Sequence, residues 1–337
     1  TGTNASASEW ASIATGLDAN ASGTSSIATG RNASSSASSS IATGTNASAS
    51  EWASIATGLD ANASGISSIA TGRGASASGD SSIATGTGAS ASEYASIATG
   101  LDASASGLRS IATGKDANAS GNDSIATGTG AVAALDGDVA IGSGSSASDG
   151  TAVGEGASAT NGSAFGKDAS ATDGTALGLG AVATSGGTAT GESTQAANNG
   201  TATGLRSSAT GQNSAAYGVD SNASGDYSVA IGSGAIAEGN SSSAFGDGAR
   251  ALGDDSTALG QYSTAEGNQS TATGYNSYAQ GTSSTANGDN AQAIGDFSLA
   301  AGASAYAGGD RSTATGVDSN ASGDSSVATG DSAVASN

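Results

Sequence analysis

The 337 residues include no cysteine, no histidine, no proline and no methionine. Without Cys or His there is no disulfide, thiolate nucleophile or imidazole base, and none of the usual zinc or haem ligand sets. Without Pro the chain is not collagen-like, although it has 55 Gly, because a collagen helix needs about one-third Gly in strict period together with Pro or hydroxyproline. Aromatic residues are scarce, at 4% with three Phe and two Trp, and charged residues make up only 11%. An ordinary domain carries about 25% charged residues and enough large apolar side chains for a thick core, so a conventional globular fold is not expected. Cations are scarcest of all: eight Lys and Arg against 29 Asp and Glu give a net charge of -21. Nucleic acid and anionic lipid both require clustered cations, and these eight lie singly between Arg31 and Arg311. Neither is an expected partner. The longest apolar runs are of the Ala131 to Leu135 kind, far below the ~20 residues of a transmembrane helix, so no direct membrane contact is expected.

What the chain does have is a repeat. The unit Ser26-Ile27-Ala28-Thr29-Gly30-x-x-Ala33 recurs with its Gly every 14 residues from Gly16 to Gly142. The spacing falls to 12 at Gly154, Gly166 and Gly178 and to 13 at Gly191 and Gly204, then returns to 14 through Gly330, making 24 units. Residues 1–337 are therefore one repeat domain in three stretches, 1–142 and 205–337 regular and 143–204 shortened. Over the first part lies a 42-residue super-repeat: residues 1–30 and 43–72 differ only at Thr24 and Ile66, the mark of duplicated three-unit blocks. The chain opens inside a repeat, at Thr1-Gly2, as a piece of a longer polypeptide would.

Two residues before the Gly stands Ala in every unit; five after it stands Ala in all but one, where Ser35 replaces it; three after it stands only Ala, Ser or Thr. Small residues alternating on both sides of a Gly are a period-2 signal, so each unit supplies two short strands. Fourteen residues making two strands and two turns form one coil of a parallel β-solenoid, each coil bonded to the next at about 4.8 Å. Gly, Asn or Asp stands two after the Gly in 19 of 24 units; these types tolerate a left-handed backbone, placing the tight turn there. Because the 12-residue units keep the Gly154 to Ala159 spacing, their deletions belong to the other turn. The Ala rows lie between the two sheets, where only a methyl group fits.

Residues three and one before the Gly lie on the opposite face of the first strand from the Ala. Ile13, Ile27, Val139, Ile141, Phe165, Leu177, Tyr217, Val229, Ile231, Phe245 and Leu259 fall there. The pair compensates in volume, as in Ser163 with Phe165 or Thr175 with Leu177, which is the behaviour of a packed space. Over 24 coils the face makes an apolar stripe about 110 Å long, more than a soluble monomer normally exposes. The methyl-lined interior offsets little chain entropy, so a partner must cover the stripe. The economical partner is a second copy about an axis parallel to the solenoid, as dimer or trimer.

Units such as Ser228-Val229-Ala230-Ile231-Gly232-Ser233-Gly234-Ala235-Ile236-Ala237 and Asp138-Val139-Ala140-Ile141-Gly142 resemble the head repeats of YadA-like trimeric autotransporter adhesins of Gram-negative bacteria, and the resemblance covers the whole chain. It implies an all-β fold, a left-handed parallel β-roll assembled as a symmetric homotrimer, with the Val/Ile-type pair facing the threefold axis. It also implies a surface location, with a stalk and an outer-membrane anchor in regions outside this chain. Thr in place of the apolar residue before most Gly, and the coils between Gly142 and Gly204, depart from the pattern.

Candidate sites are few. Asn-x-Ser/Thr sequons at Asn4, Asn20, Asn32, Asn46, Asn62, Asn118, Asn161, Asn222 and Asn320 read as turn or exposed-strand residues rather than glycan acceptors. Asp136-x-Asp138 and Asp254-Asp255 read as solvated turn acids, since the Gly-Gly-x-Gly-x-Asp calcium repeat is missing. Thr-x-Thr pairs such as Thr188 and Thr190 sit at packed positions, against an ice-binding array. No phosphate-loop pattern occurs and no Ser has a His to activate it, so neither enzymatic activity nor a cofactor or metal is expected. The leading ligand-binding candidates are Trp10, Trp52 and Tyr94, each preceded by Glu and spaced 42 residues, about 14 Å apart in the variable-length turn. Large amphipathic aromatics at a surface are typical binding anchors; the plainer reading is that each ring covers Leu17, Leu59 or Leu101. Tyr278 and Tyr306, outward on the second strand, are weaker candidates, and Asn287 places an amide on the stripe. The expected function is an adhesin head binding host cells, extracellular matrix or other bacteria through many weak contacts; the alternative is a trimeric phage-type fibre or passive spacer.

Overall fold

In the computed structural model, which describes residues 1–336, each coil carries two short strands, and no helix occurs among the described residues. The chain forms an all-β parallel β-solenoid in two compact units, one ending at Asp168 and the other beginning at Ala169. Each unit has twelve coils, with three-residue first strands from Ile13–Thr15 to Ser163–Phe165 in one and from Thr175–Leu177 to Val327–Thr329 in the other. First strands pair only with first strands, and second strands with second strands, always parallel.

The Ala rows set the register. Ala56 faces Ala70 in the 14-residue coils, Ala140 faces Ala152 where the offset is 12, and Ala176 faces Ala189 where it is 13. Coil length changes without disturbing the ladder, because the Ala side chains point inward and are buried completely, as at Ala28, Ala77 and Ala230. Period-2 alternation then sends Ile27 and Thr29 to the other face. Each repeat Gly ends the first strand for two reasons. Gly232 has φ 137, a conformation that residues with a Cβ rarely adopt, and a Cβ there would lie 2.2 Å from the carbonyl oxygen of Gly246.

The interior is not lined by methyl groups alone, since Ser145, Thr194 and Ser207, three after their Gly, are buried and donate to its carbonyl. A further inward row stands four before the Gly, where Ser26, Ser40, Ser54 and Ser110 are fully buried. In the first unit several of these hydroxyls tie down the second turn: Ser110 Oγ donates to Gly107 O at 2.8 Å, and Ser26 Oγ accepts from Gly23 N at 3.2 Å. In the second unit the same row, as at Ser228, Ser256 and Ser284, is buried without a hydrogen-bond partner. The row also explains Ser35, the one break in the Ala set. Its Oγ lies 2.6 Å from Ser40 Oγ, and Ser40 donates onward to Ala37 O at 2.7 Å. A buried hydroxyl is tolerated once it is bonded.

Both turns use left-handed residues. The first is closed at the expected place, by Asn46 at φ 56 and Asp60 at φ 55 among others. In the second turn the left-handed residue stands two beyond the Gly that marks it, at Ser25 (φ 57), Ser67 (φ 56) or Tyr227 (φ 58). In the 12-residue coils this turn is cut to Asp149-Gly150 or Asn161-Gly162, with φ 60 at Asp149 and 51 at Asn161, and the second strand lengthens to Ser146–Ser148 or Ser158–Thr160. The missing residues come from the second turn, as the spacing implied.

At the step from 14- to 12-residue coils the buried Ser is replaced by Asp138, also buried. One carboxylate oxygen accepts from Leu135 N at 2.7 Å, as the Ser hydroxyls do in their own turns, and the other accepts from Gly150 N in the shorter coil at 2.8 Å. Asp138 is therefore a buried, bonded acid and not the solvated turn acid its neighbourhood in the sequence suggested. A buried carboxylate needs such partners.

Candidate binding surfaces

Every coil presents four surfaces: the outer faces of its two strands and the edges made by its two turns. On the first-strand face the expected packing residues share one side and stay uncovered in the single chain. Ile13, Ile141, Phe165, Leu177, Tyr217 and Ile231 are exposed, Leu259 is 49% exposed, and Ile27, Val139, Val229 and Phe245 are half-buried. Asn287 lies exposed on this face with Thr285, on opposite sides of the buried Ala286.

On the second-turn edge of the first unit stand Trp10, Trp52 and Tyr94, with Trp10 78% exposed. Their backbone is bonded into the ladder while the rings are exposed. Trp10 O accepts from Ser25 N at 2.8 Å, Trp52 O from Ser67 N at 2.8 Å and Tyr94 O from Arg109 N at 2.9 Å. The preceding Glu joins the same clip each time, Ser12 Oγ donating to Glu9 O, Ser54 Oγ to Glu51 O and Ser96 Oγ to Glu93 O, all at 2.7 Å. Beside Tyr94 the Arg109 guanidinium grips Asp123 through two bonds of 2.6 and 2.5 Å. That hydrogen bond holds the Asp123 carboxyl below its ordinary range.

The second-strand candidates stand apart from each other. Tyr278 is half-buried and its phenol donates to Glu266; burial first, then that bond, push its pKa up to about 12. Tyr306 is half-buried, with its ring against Gly308. Between Gln195 and Asn222 the small Ser208 leaves an open polar groove of about 520 Å³, flanked by Arg206, which is itself paired with Asp220 at 2.6 Å.

Four exposed aromatics were missed by motif reading: Tyr275, and Tyr227, Tyr262 and Phe297, the last three in left-handed conformation at φ 58. A signal was there, since Tyr262 stands two after Gly260, where 19 of 24 units have Gly, Asn or Asp. Its ring lies over Gly248, where a Cβ would come within 2.7 Å of it. The Tyr275 ring of the next coil meets it edge to face, centroids 6.2 Å apart at 74°. Beside them Gln261 Nε2 donates to Asp247 Oδ2 at 3.2 Å and Asn276 Nδ2 to Asn290 Oδ1 at 2.8 Å.

The family model described as YadA head domain repeat (2 copies) matches the chain in overlapping windows over 11–47, 53–145, 209–277, 279–305 and 307–335, well over half of its length. The gap at 146–208 falls on the shortened coils. No curated protein matches the chain.

Proposed function

Because the chain belongs to the YadA head repeat family, we propose that it is the head of a bacterial surface adhesin. It attaches cells to host cells, extracellular matrix or other bacteria by multivalent, non-catalytic binding. The observation that carries the reading beyond the family is the uncovered first-strand face, repeated over twelve coils in each unit. A soluble chain does not leave such a stripe to water, and a second and third copy about a parallel axis bury it against itself. The head works as a homotrimer, held outside the outer membrane by a stalk and anchor that lie outside this chain. On the axis the three Asn287 amides converge and bond around it or hold an ordered water or small ion; a trimer structure with Asn287 turned away from the axis refutes this packing.

Each rung of Trp10, Trp52 and Tyr94 is then presented three times at one level, so contacts that are weak singly combine by effective concentration. Two measurements test the proposal. Sedimentation gives a species three times 30.8 kDa, and a folded monomer overturns the assembly. Cells displaying the head attach to matrix proteins or epithelial surfaces, and unchanged attachment after deletion of the head overturns the function.

A further inference from the structure

Resting on the adhesin reading, we propose that Tyr262 and Tyr275 form a binding site for an uncharged sugar ring. Six positions in three successive coils compose it. Asp247, Gln261 and Tyr275 stand one after their repeat Gly; Gly248, Tyr262 and Asn276 stand two after it. Stacked at about 4.8 Å per coil, they make a patch three coils high and two residues wide.

Three observations point to a ligand. First, Tyr262 holds a left-handed backbone, φ 58, which is costly for a bulky residue. The position otherwise favours Gly, Asn or Asp, and no burial compensates, as Tyr262 is 50% and Tyr275 51% exposed. Second, the bare Gly248 lets the Tyr262 ring settle against the coil, and the edge-to-face contact with Tyr275 makes a corner of two rings. A sugar ring offers a C–H face that packs on an aromatic plane. Third, the rim is polar: Asp247, Gln261 and Asn276 supply amide donors and carbonyl or carboxylate acceptors within one or two coil spacings, as sugar hydroxyls require. The patch holds a carboxylate and no Lys or Arg, which disfavours sialylated or sulfated glycans. Neutral sugars fit better than a basic peptide because both amide side chains present donors as well as acceptors.

The test uses the full chain on an array of neutral oligosaccharides of glucose, galactose, mannose and N-acetylglucosamine, with sialylated and sulfated glycans and oligolysine beside them. Retention on a neutral glycan is expected, reduced about tenfold by Tyr262→Asn and kept within about threefold by Tyr262→Phe. Asn suits the left-handed position, so its melting temperature stays level or rises, and lost binding is then not lost fold. No neutral retention, retention only on charged glycans or oligolysine, or full retention by Tyr262→Asn overturns the site. Displaying cells that still attach in that event leave the adhesin reading standing, whereas a head that binds sugar but attaches no cell overturns only the latter.

Discussion

Replacing Asp138 with Ala removes a buried carboxylate that bridges a 14-residue coil to a 12-residue one. Its two oxygens receive Leu135 N at 2.7 Å and Gly150 N at 2.8 Å, and the residue is 1% exposed. The Ala methyl offers neither amide an acceptor in place of the carboxylate. A buried N–H without an acceptor costs about 1–3 kcal/mol, so the Ala variant is expected to lose about 2–6 kcal/mol. Ser, the residue at this position in neighbouring coils, reaches the Leu135 turn but not the next coil, so Asp138→Ser should lose about half as much. Chemical denaturation gives the totals. Hydrogen exchange gives the location, with Gly150 losing protection in both variants and Leu135 only in the Ala variant. Equal losses for Ala and Ser, or losses for both within about 0.5 kcal/mol of zero as for ordinary surface changes, refute the bridging role.

Ala230→Leu should overpack the interior, where Ala230 is completely buried, and cost at least about 1–3 kcal/mol, while Asn222→Ser on the outer face is nearly silent; equal melting shifts refute the inside and outside assignment. Serine at Trp10, Trp52 and Tyr94 together should leave the melting temperature unchanged and lower attachment of displaying cells, and unchanged attachment shows that the rings bind nothing; they do not cover Leu17, Leu59 and Leu101, which lie beyond the first strands on the first-turn edge and are themselves exposed. The Tyr278 phenol, raised to about 12, keeps its proton more tightly in the folded chain than in the unfolded one, where its pKa is about 10. Its contribution is therefore whole below about pH 10 and is lost as pH rises through about 12. Tyr278→Phe should remove that part of the alkaline loss, and identical stability profiles for the two proteins between those pH values refute it.

The strands were legible in the sequence because their constraints are steric and repeat. Ala14 to Ala328 occupy a space that takes only a methyl group, and a position filled identically 24 times declares itself. The change of coil length was legible for the same reason, since the Ala ladder had to survive it. The inward Ser row was harder to read, because Ser has the composition of a surface residue; Ser26 and Ser110 are held inside by bonds to their own turn, while Ser228 and Ser256 are buried without one. Asp138 shows the extreme of this: an acid beside Asp136 reads as solvated until both acceptors are seen to be used. Tyr262 and Tyr275 are 13 residues apart, and neither marks a site alone. Only stacking brings their rings to 6.2 Å.

Stacking also decides where such a protein can change its ligands. In a 14-residue coil the Gly and the Ala and Ser rows are committed to the interior, and in the proposed trimer the first-strand pair is committed to the axis. What remains is the two turns and one outward position on the second strand. A ligand wider than about 4.8 Å covers more than one coil, so its site is composed from equivalent positions in successive repeats. Two routes to new sites follow. Duplication of a 42-residue block copies a whole turn, as Glu9-Trp10 recurs at Glu51-Trp52 and, with Tyr, at Glu93-Tyr94, which multiplies one contact along the edge. Substitution within a coil builds a single site instead, as at Tyr262, and is paid for in backbone strain at φ 58. The first route raises avidity without changing specificity, the second changes specificity at one level. A chain that carries repeated turn aromatics in one unit and unrepeated ones in the other has therefore used both.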